Sequence, residues 1–274
     1  GTDCWNIAQD LARKSGCNWV ADIKDPWQTF VPKPFRRSLA SRYFDAVHMT
    51  TFSDLHKNAA EEFFPMNKNV LYSGFSSDQL KAETSTKPDE FIISLTGSTY
   101  RTEHLITMLG SIAEWLESEN AKLQNNIKFV YAGPSTNEVE VALKRIKSPL
   151  RIEVNDYLNL DQYFNLLQSC HLNMYIRNSD TFHHKIFELL AVGVPILCFP
   201  AESKEVSDIV ARVGGTLFSC KTSDDICNSL NSLKETTKPT RVIYEAITNY
   251  RWETQAELLE QIISDASSLE QPKY

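Results

Sequence analysis

Apolar positions along the chain recur with two alternating periods, and that alternation predicts most of its elements. Helical spacing marks 5–14, 34–43 and 53–63, and short apolar runs mark strands at 18–23, 46–50 and 69–72. Asp25-Pro26-Trp27 reads as a sharp exit from the first of these strands. Over 76–89 the pattern vanishes into Ser, Thr, Lys, Asp and Glu, the signature of a linker. Beyond it strands are predicted at 91–96, 127–132, 151–154, 172–176, 196–199 and 216–218, with helices at 103–117, 137–147, 160–168, 182–192, 203–213 and 223–234. Strands separated by helices of crossover length give a mostly parallel sheet covered on both faces. A last long amphipathic helix is expected at 242–263.

The fold class that follows is α/β, with two Rossmann-like doubly wound domains of which the first is partial. Residues 1–80 form that partial domain, 90–238 the second, and 239–274 a C-terminal helix packing across the junction. The first run begins on a helix, where a doubly wound domain begins on a central strand. The expectation is therefore that the chain is the later portion of a longer protein, with Gly1 a cloning remnant.

One stretch concentrates unusual chemistry: D-T-F-H-H-K-I-F-E-L-L-A-V-G-V-P-I-L-C-F over 180–199. Phe182, Ile186, Phe187, Leu189, Leu190 and Val192 recur at helical spacing, Ser179, Asp180 or Thr181 can cap the start, and Gly193 with Pro195 ends it. The expected first turn gathers Asp180, His183, His184, Lys185 and Glu188. A helix N-terminus offers unpaired N–H groups and partial positive charge, so a phosphate suits this place, with Lys185 beside it. His183 and His184 are adjacent and cannot share one face as zinc ligands; one is expected inward and the other in solvent.

Composition narrows the function classes. A net charge of −7 over 274 residues argues against a surface built to grip nucleic acid or anionic lipid. The six cysteines include no C-x-x-C pair and read as small core residues of a reducing compartment. No stretch is apolar enough to span a bilayer and no secretory signal opens the chain, so the expectation is a soluble cytoplasmic protein.

In doubly wound sheets ligands bind at the carboxyl ends of the strands. Those ends carry Gly97-Ser98-Thr99-Tyr100-Arg101, Gly133-Pro134, Asn155-Asp156-Tyr157 and Arg177-Asn178-Ser179-Asp180. Gly97 stands without G-x-G-x-x-G or a Walker lysine, which disfavours a nicotinamide dehydrogenase. Arg101 either meets a phosphate bidentately or is a solvated arginine at a helix start. Glu188 is either a ligand carboxylate or the helix-turn partner of Lys185. Asp22 and Asp25 either bind a substrate or fix the turn before Trp27.

The segment K-I-F-E-L-L-A-V-G-V-P-I-L resembles the donor-site helix and strand of bacterial family 4 glycosyltransferases, whose usual form is an acidic residue, seven residues, Glu, then A-x-G-x-P. Asp180 and Glu188 match that spacing, with Asp for the commoner first Glu. W-V-A-D-I-K-D-P-W over 19–27 is similar to the W-I-A-D-F-R-D-P-W of surface-polysaccharide members, with Lys24 for Arg, and N-V-L-Y-S-G-F over 69–75 to their N-G-F segment, with Ser73 for Asn. The resemblance covers nearly the whole chain. It implies a GT-B fold with the active site in the interdomain cleft, and transfer of a sugar to a glycan or lipid-linked acceptor in bacterial envelope polysaccharide biosynthesis, with retention of configuration. It also implies a nucleotide-diphosphate sugar as co-substrate with no other cofactor, and peripheral association with the inner face of the membrane through the missing or N-terminal part.

Site roles follow from resemblance and charge together. No D-x-D occurs in the sequence, so Arg101, Lys185 and the helix start are the expected counter-charges for the departing diphosphate, with no metal. The resemblance implies that Glu188 holds the donor ribose, that Asp180 lies near the transferred sugar, and that Tyr157 and Leu158 meet the base. Gly97, Ser98, Thr181 and His184 complete the donor set. Asp25 falls close to where many relatives place an active-site His and takes the remaining catalytic position. Two alternatives stay open: a non-catalytic nucleotide-sugar-binding remnant of the same fold, and a GT-B epimerase.

Overall fold

The computed structural model describes residues 2–77, 88–146, 150–178, 181–235 and 242–269. The chain divides into two compact units, one comprising Gly1–Phe75, Asp180–His184 and Asn249–Tyr274, the other Ser76–Ser179 and Lys185–Thr248. The chain thus enters the first unit three times. The last of its three segments begins at Asn249, and residues 78–87 of the expected linker lie outside the described residues.

In the first unit α1 (Asp3–Ser15), β1 (Val20–Ile23), α2 (Trp27–Phe30), α3 (Lys33–Arg42), β2 (His48–Thr51), α4 (Asp54–Glu61) and β3 (Asn67–Val70) follow in order. The strands form a parallel sheet ordered β1-β2-β3, with Ala21 opposite Met49 and Met49 opposite Lys68. Gly16 ends α1 in the left-handed region at φ 72°, where its N–H reaches Ala12 O, and the Ser53 hydroxyl accepts from His56 N to start α4. Aromatic edges fill the core: Trp5 stands 5.1 Å from Tyr43, and Trp27 stands 5.3 Å from both Phe63 and Phe64. The one-turn α2 is a helix where only a turn was expected.

The C-terminal helix lies within this first unit. Asn18 Nδ2 donates to Ala266 O at 2.9 Å and Leu269 O at 2.8 Å. One continuous helix over 242–263 is not what forms; α12 (Tyr244–Thr248) and α13 (Trp252–Ser268) are separated. The physical reason is a competing backbone pairing. Phe75 N donates to Tyr250 O at 3.3 Å and Trp252 N to Phe75 O at 3.0 Å, which draws 250–252 into an extended bridge. Gly74 makes that approach feasible, since a Cβ there would lie 2.7 Å from Trp252 N and Tyr250 O.

The second unit runs β4 (Phe91–Thr96), α5 (Thr102–Glu117), α6 (Ala121–Gln124), β5 (Ile127–Ala132), α7 (Thr136–Arg145), β6 (Arg151–Asn155), α8 (Leu160–Ser169), β7 (Leu172–Ile176), α9 (Lys185–Val192), β8 (Ile196–Phe199), α10 (Lys204–Val213), β9 (Leu217–Ser219), α11 (Ser223–Glu235) and α12. Its six strands are all parallel, in the order β6-β5-β4-β7-β8-β9. The order reverses between β4 and β7, and this is the topological switch point of a doubly wound sheet. Helices α5, α7 and α11 pack together, as do α8, α9, α10 and α12. Ile93, Leu95, Leu105, Met108, Phe129, Met174 and Leu197 are buried between sheet and helices, each contributing about 1.5–3 kcal/mol of transfer free energy.

Helix α9 starts at Lys185, not at 182 as the spacing suggests. The preceding residues are held elsewhere in the first unit: the Phe182 ring lies 5.4 Å from that of Tyr72, and Ser73 N donates to His184 Nδ1 at 3.1 Å. A cap from Thr181 is therefore displaced, and the first turn that forms holds Lys185 and Glu188 alone of the expected polar set.

Candidate functional site

At the switch point β4 runs into Gly97, at φ 89°, whose N–H donates to Ala132 O at 2.9 Å. The Tyr131 hydroxyl donates to Gly97 O at 2.8 Å and accepts from Ser135 N at 2.8 Å, while Thr99 N donates to Ser135 Oγ at 3.3 Å. A Cβ on Gly133 would stand 2.8 Å from both Gly97 O and the Tyr131 hydroxyl, so glycine is what lets the two strand exits touch. The loop is tied down, with Thr99 buried within it. Ser98 and Arg101 are exposed, and Tyr100 takes a left-handed φ of 46° immediately before the helix start at Arg101. Burial pushes the Tyr131 hydroxyl above its ordinary pKa, with smaller pushes from Glu138 and Tyr157 against the hydrogen bonds from Ser135. Tyr157 itself is 80% exposed, and Leu158 is half-buried.

Across the switch point Lys185, the first residue of α9, donates from Nζ to Thr96 O, the last carbonyl of β4. A Cβ on Gly97 would come 3.0 Å from that ammonium, so this glycine also leaves it room. The Tyr163 ring from α8 lies 5.7 Å from Nζ, and the Tyr163 hydroxyl donates to Glu188 Oε2 at 3.1 Å. Burial lowers the Lys185 pKa to about 7, against an upward pull from Glu188. Burial and then the Glu188 charge push the Tyr163 hydroxyl upward, so it stays a donor. Among the described residues Glu188 accepts from Tyr163 and makes no close ion pair with Lys185, though its charge still acts on that lysine. The arrangement presents a cation and a carboxylate one turn apart, with one carboxylate oxygen held and the other available.

The remaining expected residues stand as follows. Asp180 lies outside the described residues. Thr181 and His184 belong to the first unit, where His184 rests 5.1 Å from the Phe182 ring and 5.6 Å from Phe52. Burial lowers the His184 pKa to about 4, helped by the charges of Lys24, His183 and His56. His183 is buried and His184 half-buried, so neither is the solvent-facing member expected of the pair. Asp25 is exposed in the first unit, its main-chain carbonyl accepting from Trp27 N at 2.7 Å.

Three contributors escaped the sequence reading: the Thr96 carbonyl, Tyr163 and Tyr131. Tyr163 stands 25 residues before Glu188, and only the strand order brings them together. His104, in the first turn of α5, is a fourth. Its Nδ1 is buried without a partner, and its pKa is lowered by burial and then by the charge of Arg101. Among the described residues no three His, Cys, Asp or Glu converge as metal ligands, and no helix is long and apolar enough to cross a membrane.

No family model and no curated protein matches the chain. Solved structures do. Anabaena HepE in complex with UDP matches with a TM-score of 0.72 at 15% identity, covering 94% of this chain and 75% of that one. Sucrose-phosphate synthase from Thermosynechococcus elongatus matches at 0.66 and 11% identity, covering 94% and 70%. A putative UDP-N-acetylglucosamine 2-epimerase from Listeria monocytogenes matches at 0.55 and 15% identity, covering 98% and 79%. The fold is GT-B. At these identities the likeness is one of fold, and within a GT-B chain the loop at Gly97 and the start of α9 occupy the carboxyl ends of adjacent strands at the switch point.

Proposed function

We propose that this GT-B chain is a glycosyltransferase that moves a sugar from a nucleotide-diphosphate donor to a glycan or lipid-linked acceptor. The observation that carries the reading is the placing of Lys185 Nζ on the Thr96 carbonyl with Glu188 one turn further along α9. As the glycosidic bond to the donor breaks, negative charge grows on the diphosphate, and fixed cations in a desolvated place stabilise it. Lys185 supplies one such charge and Arg101, at the start of α5, the second. Glu188 accepts from the ribose hydroxyls through the oxygen that Tyr163 leaves available. Tyr157 and Leu158 meet the base, and Gly97 and Ser98 offer main-chain and hydroxyl contacts to phosphate. Asp180 is assigned to the transferred sugar, as the motif resemblance implies. The reading includes retention of configuration, independence from a metal, and work in bacterial envelope polysaccharide assembly at the membrane's inner face.

HepE supports the donor class, since its structures hold UDP, and in one case UDP with glucose. The fold likeness to the epimerase keeps a second reading in view, because an epimerase uses the same donor and needs no acceptor. One experiment separates them. Screening UDP, GDP, dTDP and ADP sugars for thermal stabilisation identifies the donor. Product analysis then shows a glycoside plus nucleotide diphosphate for transfer, a new nucleotide sugar for epimerisation, and no turnover for a binding remnant. No stabilisation by any of the four would overturn the donor reading itself.

A further inference from the structure

The first unit carries a groove of about 470 Å³ between α3 and the turn that joins α4 to β3, within the size range of small-molecule sites. It lies at the amino ends of β2 and β3, the opposite end of the parallel sheet from the exit of β1 at Asp25. Its floor is aromatic and already fixed. Phe63 and Phe64 each stand edge-on 5.3 Å from Trp27, and Phe44, 51% exposed, completes the apolar lining. Charges of opposite sign line the two walls: Arg37 on α3, and Glu61 and Glu62 at the end of α4. All three are exposed, and among the described residues the side chains of Arg37 and Glu62 have no hydrogen bond or ion pair. Glu61 meets the charge of Lys68, whose ammonium is spent on Phe64 O and Met66 O. The two carboxylates also run against the helix they end. Glu61 is the last residue of α4 and Glu62 its C-cap, with no basic residue in the last turn, where the helix already presents partial negative charge. A local rule broken without a compensating contact points to a binding role.

We propose that this groove binds a zwitterion with an apolar body, an α-amino acid with a large apolar side chain. Its ammonium meets Glu61 and Glu62 and the negative end of α4, its carboxylate meets the Arg37 guanidinium bidentately, and its side chain lies on the aromatic floor. Other ligand classes leave part of the groove unanswered. A phosphate or other anion would face two carboxylates against one guanidinium. A simple amine would face Arg37. A plain hydrocarbon would take three ionised groups out of water with nothing in return. Because Phe63 and Phe64 are held by Trp27, little ordering of the floor is needed on binding. The inference concerns the first unit alone and needs neither the nucleotide reading of α9 nor an acceptor.

The test uses the full chain labelled with ¹⁵N, with the backbone amide signals of Glu61, Glu62 and Phe63 reporting on the groove. The probes are phenylalanine, tryptophan and leucine. Phenethylamine and hydrocinnamate each keep the ring and one charge, and glycine keeps both charges without the apolar body. At least one of the three amino acids should move the signals saturably, and phenethylamine, hydrocinnamate and glycine should each bind at least about tenfold more weakly than it does. Arg37→Gln and Glu62→Gln, both at exposed positions, should each weaken that amino acid about tenfold. Urea unfolding separates this role from a structural one: Glu62→Gln should leave the midpoint unchanged or raise it, because it removes a charge that the helix end disfavours. Failure of all three amino acids to move the signals would overturn the proposal. So would a single-charge analogue or glycine binding as tightly as the best of them, undiminished affinity in either variant, or a lowered unfolding midpoint for Glu62→Gln.

Discussion

The Lys185 ammonium donates to the Thr96 carbonyl, so the first residue of α9 is tied to the last residue of β4. The exit of β4 is thereby tied to the start of α9 before any ligand arrives. The cost is a desolvated cation, which an arriving diphosphate would relieve.

That desolvation predicts a pH signature. With a folded pKa lowered to about 7 from the ordinary lysine range, the folded chain binds fewer protons than the unfolded chain between about pH 7 and about pH 10.4. Stability from this group therefore rises with pH across that window, while affinity for an anion falls. The best nucleotide sugar from the screen, whose own phosphates do not titrate here, should bind progressively more weakly above pH 7, at most roughly tenfold per unit. Lys185→Met should bind weakly with a flat profile. A flat profile for the wild type between pH 6 and 9 would remove Lys185 from the diphosphate site.

Two histidines of the first unit predict the opposite end of the range. His56, whose ring lies tilted 3.7 Å from that of Phe52 and shares a hydrogen bond of 2.6 Å with Ser53 Oγ, and His184 both have pKa values lowered to about 4, chiefly by burial. Between the unfolded value near 6.5 and about 4 the unfolded chain binds more protons, so the stability they contribute is lost as pH falls through that interval. Urea unfolding should show a clear drop between pH 6.5 and 5, above the range where ordinary carboxylates titrate. An unchanged midpoint over that interval would show that both imidazoles are solvated.

Gly133→Ala tests the coupling of the two strand exits. The added methyl would meet Gly97 O and the Tyr131 hydroxyl at 2.8 Å, and neither is the end of a flexible chain. A loss of about 1–3 kcal/mol is expected, with weaker nucleotide binding because the Gly97 loop is displaced. Stability and affinity equal to wild type would mean the loop is not held as described.

How much of this was legible beforehand follows a simple division. The strands Phe91–Thr96, Ile127–Ala132, Leu172–Ile176 and Ile196–Phe199 stand where their apolar runs placed them, because buried parallel strands are apolar on both faces. The start of α9 and the break before Trp252 did not follow from periodicity. In both places backbone or ring contacts with 72–75 outcompete the helix, and such long-range partners leave no local signal. The site divides the same way. Gly97, Lys185 and Glu188 were visible as a loop and a motif, whereas Tyr163 and the Thr96 carbonyl join them only through the order β4-β7-β8.

The most direct test is the affinity of Glu188→Ala for the best nucleotide of the screen, measured beside urea unfolding of both proteins. A carboxylate that holds ribose hydroxyls makes charge-assisted hydrogen bonds, so binding should weaken by about 1.5–3 kcal/mol per bond lost. Stability should fall by only about 0.5–1.5 kcal/mol, the worth of the bond from Tyr163. Equal nucleotide affinities for wild type and Glu188→Ala would contradict the donor-site assignment and the glycosyltransferase reading built on it.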